Sequence, residues 1–273
     1  MCEDRPGCTE SLTPLCAEVV EKYILVILVH FLVFLIFVVE YFVVLPYEAI
    51  FRPKWYIYSL GTFGVYLLVN ILYHYRKAYS TPPGSPPRTD VQPQCTRCLC
   101  HKPRGVHHCS MCDNCVLRMD HHCIWINQCV GANNHRYFWQ FLLFLFAGCC
   151  VVVAASFKTF SNNFLWVADN TVWCRVVEEI PWREFVCRDG GELVTNFIFF
   201  TYSLAFLVMF MQRGCAPYGL CCKDLPPFEE ILVNWRVFLG LRRNRTFLRH
   251  ILLPSNHLTE HCEEQHLREV NVV

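Results

Sequence analysis

Between Cys95 and Cys129 the chain places eight cysteines, at 95, 98, 100, 109, 112, 115, 123 and 129, with histidines at 101, 107, 108, 121 and 122. Their order is C-x2-C-x9-H-C-x2-C-x2-C-x4-D-H-H-C-x5-C. A C-x2-C pair lets two thiolates reach one tetrahedral ion from a tight turn, so this density is a metal signal. A disulfide framework is the competing reading, and the compartment the window faces decides between them.

The window lies between long apolar segments. Composition is 54% apolar and only 17% charged, against roughly 25% charged in soluble chains, which points to a membrane protein. Net charge is +1 with no strongly basic domain, so no nucleic-acid partner is expected.

Residues 1–22 are polar, without the basic start of a secretory signal, and no cleavage is expected. Tyr23–Leu45 and Trp55–Tyr73 are each about long enough to cross a bilayer core as a helix. Glu40, inside the first, reads as a carboxylate reaching an interface or a neighbouring helix. Residues 74–94 are polar and proline-rich around Thr81-Pro82-Pro83-Gly84, which suits a semi-rigid linker. Apolar runs resume at Tyr137–Phe157 and Leu193–Met211, separated by a mixed loop, 158–192, that carries Cys174 and Cys187.

Lys and Arg set the orientation. The loop from His74 to Arg136 carries Arg76, Lys77, Arg88, Arg97, Lys102, Arg104, Arg118 and Arg136 against three acids, which places it in the cytosol. Four spans then put both termini on that side, and the sequon Asn244-Arg245-Thr246 stays unglycosylated. In a reducing compartment the clustered thiols take zinc rather than pair with one another. Cys174 and Cys187 face the oxidising side, where a disulfide between them is plausible.

Two closed tetrahedral sites need eight ligands, and the window offers more. One assignment uses all eight cysteines and leaves the histidines incidental; another omits Cys100 and Cys123 and takes His108 and His122 instead. In the second, Cys123 is free and follows Asp120-His121-His122. A thiol beside an imidazole that takes its proton, with a carboxylate orienting the ring, has the parts of an activated nucleophile. The plain alternative is a further zinc ligand.

Asp120-His121-His122-Cys123 at the centre of this window, two spans on either side, the Pro-Pro-Gly after the second and Asn234-Trp235-Arg236-Val237-Phe238 in the tail resemble the DHHC family of integral-membrane protein S-acyltransferases. The resemblance implies an all-α membrane protein with four transmembrane helices and a small cytosolic cysteine-rich two-zinc domain between helices 2 and 3. Its layout would be an N-terminus at 1–22, spans at 23–45, 55–73, 137–157 and 193–211, the linker and zinc domain at 74–136, a lumenal loop at 158–192 and a tail at 212–273. The implied activity transfers a palmitoyl or other long-chain acyl group from acyl-CoA through a thioester on Cys123 to cysteines of protein substrates. His121 would be the base and Asp120 its orienter. Cys95, Cys98, His108 and Cys115 would hold one structural zinc ion, and Cys109, Cys112, His122 and Cys129 the other. Trp125 matches a position beside the acyl thioester, and Lys102 and His107 match positions near the CoA phosphates. Ile124 stands where most members carry Pro, and the Thr-Thr-x-Glu expected after the fourth span is not evident past Met211. The tail resembles members of the endoplasmic reticulum and Golgi. A rival reading is a membrane scaffold whose zinc module only binds partner proteins, with Cys123 unused.

Overall fold

The computed structural model describes residues 12–49, 51–86, 93–102, 105–160, 228–241 and 245–257. The expected fourth span at 193–211, the Cys174 and Cys187 pair, Asn244 and most of the 158–192 loop lie outside them. Helix α1 (Leu12–Val39) passes through a π-type turn (Glu40–Val44) into the short α2 (Leu45–Glu48). Helices α3 (Lys54–Ser80) and α4 (His135–Phe160) follow, and the tail contributes α5 (Phe228–Phe238). Among the described residues, three segments are long and apolar enough to cross a membrane: Tyr23–Phe42, Lys54–Ser80 and His135–Phe157.

Each helix is formed by what it faces. Helix α1 is apolar almost all round and leaves Ile24, Ile27, Phe31 and Phe34 exposed, as a lipid-facing helix does. Helix α3 is one-sided: Gly61, Leu67, Asn70, Ile71, His74, Tyr75 and Ala78 recur at helical spacing and are buried. Leu67, Ile71 and Tyr75 pack with Phe138, Phe141 and Phe144 of α4, and α1 adds Val26 and Val33.

The cysteine-rich domain contains two antiparallel hairpins, so the all-α expectation holds for the membrane helices and not for this domain. Strand β1 (Val106–Cys109) pairs with β2 (Asn114–Leu117), and β3 (His121–Cys123) with β4 (Gln128–Val130). In register, His108 faces Cys115 and His122 faces Cys129. Each knuckle turns through a left-handed residue just after its second cysteine, Leu99 (φ 53°) and Asp113 (φ 46°).

Past Tyr73, α3 continues beyond its strongly apolar part because its polar residues are used there. Tyr75 Oη donates to the Trp125 carbonyl at 2.6 Å. Pro82 and Pro83 then end the helix, leaving carbonyls without helical partners. The cysteine-rich domain supplies donors to them. Gln128 Nε2 donates to Ala78 O at 2.7 Å and Thr81 O at 3.0 Å, and Asn134 Nδ2 donates to Ala78 O at 3.2 Å and Cys129 O at 3.0 Å.

The proline stretch is docked rather than serving as a free spacer. Leu117 N donates to Gly84 O at 3.0 Å and Asn133 N to Pro83 O at 3.2 Å. Gly131 permits this approach: a Cβ there would lie 2.7 Å from Val116 Cγ1 and 2.8 Å from Pro83 O. Since Pro83 O is backbone, Gly131→Ala is expected to destabilise the protein by about 1–3 kcal/mol, read as a lower melting temperature in detergent.

The tail straps the N-terminal end of α4. Trp235 and Phe238 pack on Trp139, with Leu239 and Ile251 in the same cluster. The buried Arg136 donates through Nη2 to His257 O at 2.6 Å, and Gln140 Nε2 to Ile251 O at 3.3 Å. Tyr66 Oη donates to Leu252 O at 2.6 Å.

Candidate active site and metal centres

The two hairpins and the preceding knuckle gather thiol and imidazole donors into two groups, Cys95, Cys98, His108 and Cys115, and Cys109, Cys112, His122 and Cys129. Within each, one donor atom per residue lies within 4.8 Å of every other. In the second group His122 Nδ1 is 3.3 Å from Cys112 Sγ, 3.6 Å from Cys109 Sγ and 3.7 Å from Cys129 Sγ. In the first, His108 Nδ1 is 3.0 Å from Cys98 Sγ and 3.9 Å from Cys115 Sγ.

A tetrahedron with Zn–S about 2.3 Å and Zn–N about 2.0 Å has edges of about 3.5–3.8 Å. The second group lies close to those edges, and the two separations in the first fall on either side of them, at 3.0 and 3.9 Å. Donor chemistry and spacing therefore fit zinc at both positions. Asp113 Oδ1 lies 3.5 Å from His108 Nε2, the place of a carboxylate that orients a ligating imidazole. Every cysteine of the window is a free thiol, as are Cys149 and Cys150 of α4.

Cys100 and Cys123 belong to neither group. Cys100 is buried in the small core beside Cys95 and Cys115. Cys123 is buried in a different place: with Ile126 and Val130 it joins the cluster built by Leu67, Ile71, Tyr75 and Phe141 of the membrane helices. The zinc domain thus rests on the helix bundle through the loop that carries this thiol.

Asp120 Oδ2 lies 3.0 Å from His121 Nδ1 and accepts its proton in a hydrogen bond. That bond, together with hydrogen bonding to Cys123, pushes the His121 pKa up to about 9. The same bond holds the Asp120 carboxyl below its ordinary value, and the nearby His135 adds to that effect. His135 Nε2 is 3.9 Å from Asp120 Oδ2, and its ring meets Phe238 of α5 edge-on at 5.1 Å. The His121 ring is held edge-on by Phe138 of α4 at 5.5 Å. An acid, an imidazole and a thiol consequently stand close together at the junction of domain and bundle. This arrangement can move a proton off sulfur and stabilise the resulting imidazolium.

The structure brings Asp120, His121 and Cys123 together, and Trp125 lies in the same loop with its side chain partly exposed. Lys102 follows the first knuckle, its backbone N donating to Pro93 O at 2.7 Å, and His107 is exposed on β1. Both belong to the half of the domain that holds the first donor group. Sequence reasoning missed Tyr75, Gln128, Asn134 and His135, which fix the Cys123 loop and the α3 terminus. The available signal was the polar run Asn133-Asn134-His135-Arg136 at the mouth of an apolar span, where polar side chains need partners.

A family model described as DHHC palmitoyltransferase matches residues 89–233. Palmitoyltransferase ZDHHC16 of Mus musculus is 32% identical over 225 residues, covering 70% of this chain and 59% of that protein. The Homo sapiens protein of the same name is 31% identical over 237 residues, with 70% and 60% covered. Palmitoyltransferase ZDHHC16B of Danio rerio is 42% identical over 278 residues, covering 81% of this chain and 70% of its own length. The chain spans about 60% of the length of the mouse and human relatives. With more than half of its residues inside the family match and the D-H-H-C residues at the junction just described, the chain belongs to the DHHC palmitoyltransferase family.

Proposed function

We propose that the protein is a membrane S-acyltransferase that takes a long-chain acyl group from acyl-CoA onto Cys123 and passes it to cysteines of protein substrates. The observation that carries this reading is the position of Cys123, outside both donor groups, packed against the membrane helices and two residues along β3 from a His121 that Asp120 orients.

In the first step His121 takes the Cys123 proton and Sγ attacks the thioester carbonyl. The carbon–sulfur bond to CoA breaks, and the CoA sulfur leaves with the proton from His121. In the second, a substrate cysteine gives its proton to His121 and attacks the acyl group on Cys123, whose sulfur leaves and regains that proton. One thioester replaces another, so no oxidant or energy donor is required. Trp125 would flank the thioester, and Lys102 and His107 would meet the CoA phosphates.

Cys95, Cys98, His108 and Cys115 would hold one zinc ion and Cys109, Cys112, His122 and Cys129 the other, closed sites that brace the loop and leave no open position for chemistry. The layout is four spans at 23–45, 55–73, 137–157 and 193–211, with both termini and the 74–136 domain cytosolic. The charge placement supports this orientation, and the tail resemblance supports endoplasmic reticulum or Golgi. Substrates carry cysteines near the membrane, because Cys123 lies where the bundle meets the zinc domain.

Incubating the purified full chain with labelled palmitoyl-CoA is expected to leave a hydroxylamine-sensitive adduct on Cys123, and no adduct would defeat the reading. Asp120→Asn removes the first contributor to the raised His121 pKa. It is expected to slow adduct formation by about a hundredfold with zinc content unchanged.

A further inference from the structure

A cavity opens between α1, α3 and α4, walled by Val33, Leu45, Leu67, Ile71, Leu145 and Val152 among others. Its empty volume, open mouth included, is about 740 Å³. Glu40 is the one acidic or basic side chain in its wall among the described residues. Its Oε1 is buried and has no hydrogen-bond partner, contrary to the sequence expectation of a carboxylate reaching an interface or a helix. An unpartnered carboxyl in apolar surroundings is costly whether charged or neutral, and polar groups at membrane depth mark substrate paths. The turn that carries Glu40 is of the π type, a local widening that recurs at functional sites.

Val33, Leu67 and Ile71 line this cavity and also belong to the packed cluster that contains Cys123. The depth can be read along α3. Tyr75 is bonded to the Cys123 loop, while Gly61 and Gly64 line the cavity, with Gly61 beside Tyr41, the residue after Glu40. From Tyr75 to those glycines is about 16–21 Å of helix at roughly 1.5 Å per residue. One leaflet of acyl chains is about 15 Å, half of the roughly 30 Å hydrocarbon core. A long acyl chain held at Cys123 and running down this cavity therefore ends near Glu40.

We infer that Glu40 reads the far end of the acyl chain, so that the cavity favours a fatty acyl group carrying a hydroxyl at its distal end over one ending in a methyl. This rests on the reading of Cys123 as the acyl acceptor. The hydroxyl provides the unpartnered oxygen with a hydrogen bond, and a methyl leaves it without one.

Full-length protein in detergent micelles is given equimolar palmitoyl-CoA and ω-hydroxypalmitoyl-CoA, and the two thioesters on Cys123 are compared by mass. The hydroxy-to-plain ratio is expected to be about tenfold higher in the parent than in Glu40→Leu, the scale of one satisfied hydrogen bond. Glu40→Gln, whose amide still bonds, stays near the parent. A Cβ at Gly64 meets nothing within 4 Å, so in Gly64→Phe the ring enters the cavity. That variant is expected to lose both long-chain adducts while octanoyl-CoA still reacts. Equal ratios in the parent and Glu40→Leu, or a parent ratio of one or less, overturn the assignment. So does a Gly64→Phe protein that uses both long chains normally, because the chain then lies elsewhere. A parent protein that forms no adduct with any donor overturns the transferase reading itself, and this inference with it.

Discussion

Cys123→Ser is expected to abolish the acyl adduct, lowering its formation by at least about a thousandfold, while both zinc ions stay bound and the melting temperature barely moves. A serine hydroxyl is a far weaker acid and a poorer nucleophile than the thiol in a site shaped for sulfur, so thioester exchange is lost although the side chain keeps nearly the same shape. Packing around position 123 with Ile126, Val130 and Tyr75 is preserved. Metal is retained because this sulfur belongs to neither donor group. Two measurements on one variant decide the matter: intact mass after exposure to palmitoyl-CoA, and metal analysis. A protein that acylates as the parent does, or one that loses an ion, would show that Cys123 is not the free nucleophile.

Cys109→Ala is expected to lose one of the two zinc ions and to unfold the cysteine-rich domain, with activity lost as a result. The buried Cys109 is one of four donors around the second position, and its removal leaves a three-ligand site. Structural zinc in finger-like sites contributes an apparent 10–16 kcal/mol or so, as large as the roughly 5–15 kcal/mol total stability of a domain. The damage reaches the site directly, because β3 carries the ligand His122 between His121 and Cys123. Cys100→Ala is the matched control: it removes a buried thiol outside both groups and is expected to keep both ions. Two ions retained in Cys109→Ala would show that the ligand set is wrong.

The donor groups were legible because knuckle spacing is a local property. C-x2-C places two sulfurs on one turn whatever surrounds it, and the hairpin register that sets His122 opposite Cys129 follows once the turns are in place. The three described spans were legible from apolar length. The hairpins were not, since three- and four-residue strands such as β3 and β1 carry no alternating pattern long enough to read. The end of α3 was missed for another reason. Hydropathy marks where a helix leaves lipid and says nothing of how far it continues, and His74, Tyr75 and Ala78 are buried by the zinc domain and α4, which are distant in sequence. The docking of the Pro82 to Pro86 stretch was not legible for the same reason, because it comes from tertiary contact with Leu117 and Asn133. Glu40 needed the structure most of all, since no local pattern tells a carboxylate that snorkels from one aimed into a cavity.

The carbonyls at the close of α3 are finished by Gln128 and Asn134, side chains that belong to the cysteine-rich domain. Metal occupancy and the order of a membrane-spanning helix are therefore expected to be linked variables: a chelator that empties the donor groups should loosen the backbone at the close of α3. A fragment cut at the membrane boundary would strip both halves of bonds that neither can replace from within.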